Sequence, residues 1–371
     1  MKPAIGILSQ GFALTIAALI VFILAIPARP AGATDQQVSA PLHLEIVGGL
    51  GGVTQYTKLE QPFWQSEITR RSAGHIVANI RPLDGGGLRG EEMLQLMRLG
   101  VVRFGTALLA VVAGEEPELN AVDLPVLNPD IATLRRTVAA YRGRLREILR
   151  DRYDIELLGI YTYPAQVVFC ASAFSGLDDL AGRRVRTSSV GQSELVSALG
   201  GVPVILPFSQ IVSALRDGVV DCAVTGTLSG YEIGLNNYVT HVHAMALSWG
   251  LSFFGANASA WAALDPAEQE TISSAVTELE GRIWSQAEAD TVRGLACDAG
   301  KLDCGTGSVR PMTVVATSKA DAERRRQLLT EVVLPRWIDR CGEVCRTDWD
   351  RYLAGVHGIE GKASDLRPSG Q

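Results

Sequence analysis

Short β-rich segments alternate with amphipathic segments of helical length along the chain from residue 42 onward. Residues 44–47 and 75–82 predict strands. The segment 54–71 between them predicts a helix capped by Thr54, after the glycine-rich turn 48–52. Further strand-like runs follow at residues 101–112, 155–161, 166–171, 184–187, 202–206 and 219–224. Helical segments separate several of them, at residues 91–99, 189–199 and 209–217. This order predicts a parallel or mixed sheet with helices on its faces, an α/β fold.

The C-terminal third has a different pattern. A helical periodicity extends over residues 267–296 after Asp265-Pro266, which is long for a helix of a globular protein. It predicts an element that passes from one domain to another. A second helix is predicted at 320–341. The length of 371 residues is itself typical of two domains.

The N-terminus has the features of an export signal. Lys2 is followed by an apolar stretch at residues 5–26 and then by Ala31-Gly32-Ala33, with small residues where a signal peptidase cleaves. We predict a signal peptide at 1–33 and a mature protein in the periplasm. The alternative is an anchor that is retained, because the apolar run is long enough to span a bilayer.

Composition narrows the classes of partner. The chain is 47% hydrophobic and 20% charged, with a formal net charge of −6. This balance is that of an ordinary globular protein, and no basic block indicates nucleic-acid binding.

The predicted export decides how the six cysteines are interpreted. In an oxidising compartment an even number favours disulfides, and we expect local bridges Cys297–Cys304 and Cys341–Cys345, the latter requiring Gly342 to break the helix. Cross-links between the two pairs, or a zinc site, are the alternatives. Cys170 and Cys222 lie in apolar runs and are interpreted as buried thiols.

Motifs of catalysis and nucleotide binding are mostly missing from the sequence. The turn 48–52 lacks the spacing of a dinucleotide fingerprint, and we interpret it as a tight turn with free N–H groups that could hold an anion. His241 and His243 are interpreted as structural rather than as metal ligands. No cofactor or metal is expected.

The segment 177–189 is the most informative. Gly182 leads into a predicted strand in which Arg184 and Arg186 share one face, and Ser189 begins the next helix. A guanidinium and a helix N-terminus would then meet at one point, which suits a carboxylate. From the pattern alone, an arginine pair on a solvated edge is the simpler interpretation.

A resemblance changes that interpretation. The segment 177–189, Leu-Gly-Gly at 199–201, Pro-Phe-Ser at 207–209, the run 214–221 and Tyr231-Glu232 together resemble the DctP-type solute-binding proteins of TRAP transporters. Leu88-Arg89-Gly90 and Asp123-Leu124-Pro125 are similar as well, so the resemblance covers nearly all of the mature chain. Five later residues also fall in the family's order: Asn257, Trp261, Leu264, Pro266 and Gln269.

The resemblance implies a two-lobed periplasmic binding protein fold with a long helix spanning both domains. Domain I would be 41–163 plus 251–290, and domain II 164–250 plus 291–371. The protein would be a monomer that captures a small organic acid and delivers it to the membrane subunits of a TRAP transporter. A periplasmic sensor subunit and a secreted enzyme using Asp221 and Glu232 are the alternatives.

In the family, the arginine that matches Arg186 binds the ligand carboxylate. Some members carry a second arginine where Gln166 aligns, and many have Asn-Pro where residues 224–226 stand, so a dicarboxylate is a weaker expectation here. Gln166 and Thr225 would instead offer neutral hydrogen bonds. Ser188, Thr106 and Trp249 complete the expected ligand-binding residues.

Overall fold

The computed structural model describes residues 40–302, 304 and 310–362. The predicted signal peptide lies outside these residues. Within the described part of the chain, no helix is both long and apolar enough to cross a membrane.

The strands form two separate sheets. They are β1 (Leu42–Val47), β2 (Ile76–Arg81), β3 (Phe104–Leu108), β4 (Ile155–Tyr161), β5 (Gln166–Cys170), β6 (Arg184–Thr187), β7 (Val202–Ile205), β8 (Cys222–Gly226), β9 (His241–His243), β10 (Ser252–Asn257) and β11 (Thr313–Val315). The first sheet has the order β2-β1-β3-β10-β4, and the second has the order β11-β9-β5-β8-β6-β7. β10 is antiparallel to both of its neighbours, and β5 is antiparallel to both of its own. The remaining pairs are parallel, so both sheets are mixed.

Helices surround the two sheets. They are α1 (Ile68–Arg71), α2 (Met93–Arg98), α3 (Leu109–Val112), α4 (Ile131–Tyr153), α5 (Val190–Ala198), α6 (Ile211–Arg216), α7 (Thr227–Glu232), α8 (Ala258–Ala262), α9 (Pro266–Asp298), α10 (Lys319–Leu328), α11 (Leu334–Cys341), α12 (Glu343–Asp348) and α13 (Ala354–His357). Wider π-helical turns, Gln55–Glu60 and Phe63–Glu67, precede α1, and Leu329–Val333 joins α10 to α11.

The long helix α9 contacts both halves of the molecule. It begins at a capping box formed by Asp265 and Glu268 and runs for 33 residues. Along its length it packs against β4 of the first sheet and then against α7 and β11, which belong with the second. Ile272 and Val276 bury their side chains in the core over the first sheet, with Trp64 and Phe254. The prediction of a two-lobed α/β fold with a spanning helix is confirmed.

Local predictions were partly right. Ser189 caps α5 by accepting a hydrogen bond from the Gln192 N–H, as expected. Thr54 makes no side-chain cap, because its own backbone is already helical and its hydroxyl points to another partner. The apolar run 101–112 is a strand only as far as Leu108, after which α3 follows.

The helix α4 was missed, since no element was predicted between residues 113 and 154. It had a signal: Asp130 caps the helix by accepting from the Thr133 N–H, and Leu134, Val138 and Tyr141 begin its buried stripe. The many arginines of α4 pair with acids on neighbouring elements, for example Arg142 with Glu280 at 2.6 Å.

Three disulfides are present among the described residues. Cys297–Cys304 and Cys341–Cys345 pair as predicted, and Gly342, at a φ of 81°, separates α11 from α12. The interpretation of Cys170 and Cys222 as thiols is wrong, because they form the third bridge. They stand opposite each other on β5 and β8, which the sequence separation of 52 residues conceals. No cluster of three metal-ligating side chains occurs in the described ranges.

Candidate ligand-binding site

Arg186 is a buried cation near the carboxyl end of β6. Its side chain is 3% exposed, and its Nε and Nη1 donate to the carbonyl oxygens of Leu206 (2.9 Å) and Val224 (2.7 Å). No carboxylate of the described residues lies within ion-pair distance of it. Burial lowers the pKa of Arg186 to about 9, so the group still carries its charge at neutral pH. A buried charge without a counterion is costly, so an anion bound beside this guanidinium would stabilise it.

Arg184, two residues earlier, differs in every respect. Its guanidinium is 45% exposed and pairs with Asp221, with Nη2 2.6 Å from Oδ1. The simpler interpretation of a solvated pair therefore describes Arg184 but not Arg186. Asp221 is committed to this pair at the start of β8, whereas Glu232 ends α7 beyond the other end of the strand. The structure thus does not bring the two acids of the enzyme alternative together.

Thr225 lies on β8, which is next to β6, and Gln166 lies on β5, one strand further across the sheet. Gln166 stands opposite Gly226 on β8, and Thr225 is 1% exposed. The Gln166 Nε2 donates to the Pro164 carbonyl at 2.8 Å, and no described bond uses its Oε1. Glycines make room for this amide, because a Cβ on Gly226 would lie 3.1 Å from Nε2. The structure thus places an amide and a hydroxyl in the two strands that follow β6 across the sheet.

Ser188 lies between β6 and α5 and is held by Gln192. Its N–H and Oγ both donate to the Gln192 Oε1, at 2.9 and 3.1 Å. The Gln192 Nε2 in turn donates to the Ser248 Oγ at 3.0 Å. Gln192 and Ser248 were not predicted, and the sequence offers no signal that would pair them.

Trp249 is tied to the loop before α4. Its indole N–H donates to the Asn128 carbonyl at 3.0 Å, and its backbone N–H donates to Asp123. Asp123 also accepts from the N–H groups of Gly250 and Leu251. Burial raises the pKa of Asp123 to about 7, although these three N–H groups lower it. Asp123 therefore fixes the segment that leads from the second sheet into β10.

Thr106 stands apart from the other five predicted residues, because it lies in β3 of the first sheet. Its hydroxyl is fully buried and has no hydrogen-bond partner among the described residues.

The glycine-rich turn after β1 does not have the free N–H groups that were expected. Gly49 donates to Glu60 (2.8 Å), Leu50 to the Tyr163 hydroxyl (2.9 Å), and Gly51 to Asp84 (2.8 Å). Protein oxygens thus occupy the donors that an anion would need. Burial raises the pKa of Glu60 to about 7, despite hydrogen bonds from Gly49 and Gln55 that lower it.

A pair of hydrogen bonds links the segment after β1 to the end of α7. The Thr54 N–H donates to the Glu232 Oε2 at 3.1 Å, and the Thr54 hydroxyl donates to the other carboxylate oxygen. Thr54 follows β1 of the first sheet, and Glu232 ends the helix that follows β8 of the second. Tyr163, Ser229 and Asp290 line a cleft together with these two residues. Burial raises the pKa of Glu232, although the two bonds from Thr54 lower it.

Two sheets linked by a few crossing segments and by the long helix α9, with a cleft lined by segments that follow strands of both, are the architecture of two-lobed solute-binding proteins. The model of the family "Bacterial extracellular solute-binding protein, family 7" (DctP) matches residues 53–295. The chain belongs to this family.

Known relatives agree with this assignment. The C4-dicarboxylate-binding periplasmic protein DctP of Rhodobacter capsulatus is 26% identical over 137 residues, which span 36% of this chain and 40% of that relative. The solved extracytoplasmic solute receptor DctP7 of Bordetella pertussis superposes with a TM-score of 0.74 at 20% identity, covering 85% of this chain and 99% of that one. A TRAP periplasmic solute-binding protein from Desulfovibrio salexigens superposes with a TM-score of 0.73 at 17% identity, covering 85% and 98%. At these identities the two structures support the shared fold.

Proposed function

We propose that the protein captures a small organic acid through Arg186 and delivers it to the membrane subunits of a TRAP transporter. The observation that carries the proposal is the buried guanidinium, which has two carbonyl partners and no acid among the described residues. A ligand carboxylate would supply the missing charge and accept parallel N–H bonds.

The relatives are consistent with such a ligand. The Bordetella receptor is described as binding pyroglutamic acid and the Desulfovibrio protein as having bound orotic acid. Both compounds are carboxylic acids. Gln166, Thr225, Ser188, Thr106 and Trp249 are proposed to line the same ligand site.

The proposal includes how the protein is built and where it works. Residues 1–33 would be removed on export to the periplasm, and the mature protein would be a monomer. Its two lobes, 41–163 plus 251–290 and 164–250 plus 291–371, would close around the ligand. The segments 162–165 and 244–251 lie between strands of different sheets and would bend as the hinge. The protein would act as a carrier rather than as an enzyme, so the ligand should be released unchanged.

A thermal-shift screen of the mature protein tests the proposal. Monocarboxylates, dicarboxylates, keto acids and sugar acids would be compared with uncharged analogues. A true ligand at 100 times its dissociation constant stabilises the native state by about 2.7 kcal/mol. If no carboxylate in the screen stabilises the protein, capture of a small acid is contradicted. Conversion of a bound acid, followed by NMR, would instead support the enzyme alternative.

A further inference from the structure

Four polar atoms are buried over the first sheet without a hydrogen-bond partner among the described residues. They are the Trp64 Nε1, the Thr106 Oγ1, the Tyr161 hydroxyl and the Ser252 Oγ. All four side chains belong to fully buried residues. Buried polar groups are nearly always paired in native proteins, so several orphans at one place call for a partner.

Strand register places three of these groups on one face. Thr106 stands opposite Phe254, and Ser252 stands opposite both Leu108 and Tyr161. Directly opposed residues, and residues two apart on one strand, share a face of a sheet. Thr106, Tyr161 and Ser252 therefore point to the side on which Phe254 lies.

Trp64 reaches the same face from the helical segment above it. Its ring centroid lies 5.2 Å from that of Phe254, and the Tyr161 ring stacks on Phe254 at 6.1 Å. The four orphaned groups thus surround one phenylalanine.

Two members of this cluster, Tyr161 and Ser252, lie at strand ends where the chain crosses between the two sheets. Tyr161 is the last residue of β4, and Ser252 is the first residue of β10. The chain passes between the sheets immediately after Tyr161 and immediately before Ser252. Gln166 begins β5 and stands opposite Gly226, the last residue of β8, so this pair marks the corresponding strand ends of the second sheet. Arg186 belongs to the same sheet, on β6 beside β8.

The chemistry of the cluster is neutral. Hydroxyl and indole groups recognise hydroxyl, carbonyl or amide groups. The charged groups that act on Tyr161 are acidic, Glu60 and Glu280. The nearby cation Arg142 is already paired with Glu280 through two hydrogen bonds, at 2.6 and 2.9 Å. A second ligand carboxylate at this place would meet acidic groups and, among the described residues, no unpaired cation, which is unfavourable in a buried site.

We propose that Thr106, Tyr161 and Ser252 form a neutral polar subsite that binds the hydroxyl or amide end of a monocarboxylate whose carboxylate lies on Arg186. This inference rests on the proposed function. It narrows the ligand class to acids with one charge and a neutral polar group at the other end, and it disfavours dicarboxylates of equal length.

Succinamate and succinate test the charge selection, because they have the same length and differ in an amide in place of one carboxylate. Isothermal titration calorimetry should show succinamate bound at least about tenfold more tightly than succinate. Equal binding, or tighter binding of succinate, would overturn the inference.

The substitutions Thr106→Val and Ser252→Ala test the residues. Each should weaken succinamate binding about three- to tenfold and change butyrate binding less than about twofold, because butyrate has no polar group to lose. Thr277→Val is the matched control: its hydroxyl lies exposed on α9 and bonds only the Ser273 carbonyl. It should leave both affinities unchanged.

Stability supplies an independent readout. Since the Thr106 hydroxyl has no described partner, Thr106→Val should leave the melting temperature of the ligand-free protein unchanged or raise it. If Arg186 proves necessary for succinamate binding but Thr106→Val has no effect on it, the subsite is wrong and the proposed function stands. If no carboxylate binds, both fall.

Discussion

Substitution of Arg186 by methionine removes a charge whose burial destabilises the folded protein. Methionine has a similar length and reach but no donors, so the carbonyl groups of Leu206 and Val224 would each lose a hydrogen bond. In the ligand-free protein the removed charge and the two lost bonds oppose each other, whereas ligand binding only loses a partner, and this difference separates a binding residue from a structural one.

The magnitudes follow from burial. The pKa of Arg186 falls from 12.5 to about 9, and each unit corresponds to about 1.4 kcal/mol, so the charged form is disfavoured by about 5 kcal/mol in the folded protein. This penalty applies at all pH values below about 9, because the group is then protonated in both the folded and the unfolded state. The two orphaned carbonyls cost about 1–3 kcal/mol each. The free energy of unfolding of ligand-free Arg186→Met should therefore lie between about 1 kcal/mol below and 3 kcal/mol above that of the wild type.

Ligand binding, in contrast, should be strongly weakened. Loss of a buried, charge-assisted pair costs about 2–5 kcal/mol, or about 30- to 5000-fold in affinity. Arg186→Lys should recover only part of this, because an ammonium lacks two parallel donors.

The assay combines urea unfolding of the ligand-free proteins with calorimetry of the best acid from the screen. Arg184→Met is the control, because an exposed ion pair such as that with Asp221 contributes under about 1 kcal/mol. Affinity of Arg186→Met within threefold of wild type would refute the assignment of the carboxylate site. A large loss of stability without ligand would show that Arg186 serves mainly to hold the fold.

Three further predictions concern other parts of the molecule. Because burial raises the pKa of Glu60 from 4.5 to about 7, the folded state binds the proton more tightly, and the free energy of unfolding should fall as the pH rises from about 4.5 to 7. Urea unfolding at pH 5 and pH 8 should show this fall, and Glu60→Gln should reduce it by up to about 3 kcal/mol. An equal fall in the wild type and the variant would contradict the prediction. Replacing Cys170 and Cys222 by alanine opens a loop of 52 residues and should lower the free energy of unfolding by about 4 kcal/mol, against about 2 kcal/mol for loss of the Cys341–Cys345 bridge. Peptide mapping without reductant should recover all three pairs. Closure around the ligand should reduce the radius of gyration measured by small-angle scattering, and an unchanged radius with confirmed binding would argue against closure. Glu232→Ala removes the acceptor of both Thr54 bonds and should weaken ligand binding about three- to tenfold.

Features governed by neighbouring residues were predictable from the sequence. The helix predicted at 267–296 is observed as Pro266–Asp298, because Asp265 and Glu268 form a capping box at its start. Ser189 caps α5, and Gly342 ends α11, for equally local reasons. Arg186 was predicted as a ligand-binding residue only through the resemblance, because the sequence pattern alone did not distinguish it from a solvated arginine.

What the tertiary structure decided depends on residues that are far apart in the chain. Arg184 and Arg186 have the same side chain two positions apart, yet one is exposed and paired and the other is buried without an acid among the described residues. Cys170 meets Cys222, and Thr54 meets Glu232, only because separate strands and lobes come together. The orphaned hydroxyls of Thr106, Tyr161 and Ser252 depend likewise on the pairing of β3, β10 and β4. Burial and partner choice are sums over long-range contacts, and no local pattern of side chains contains them.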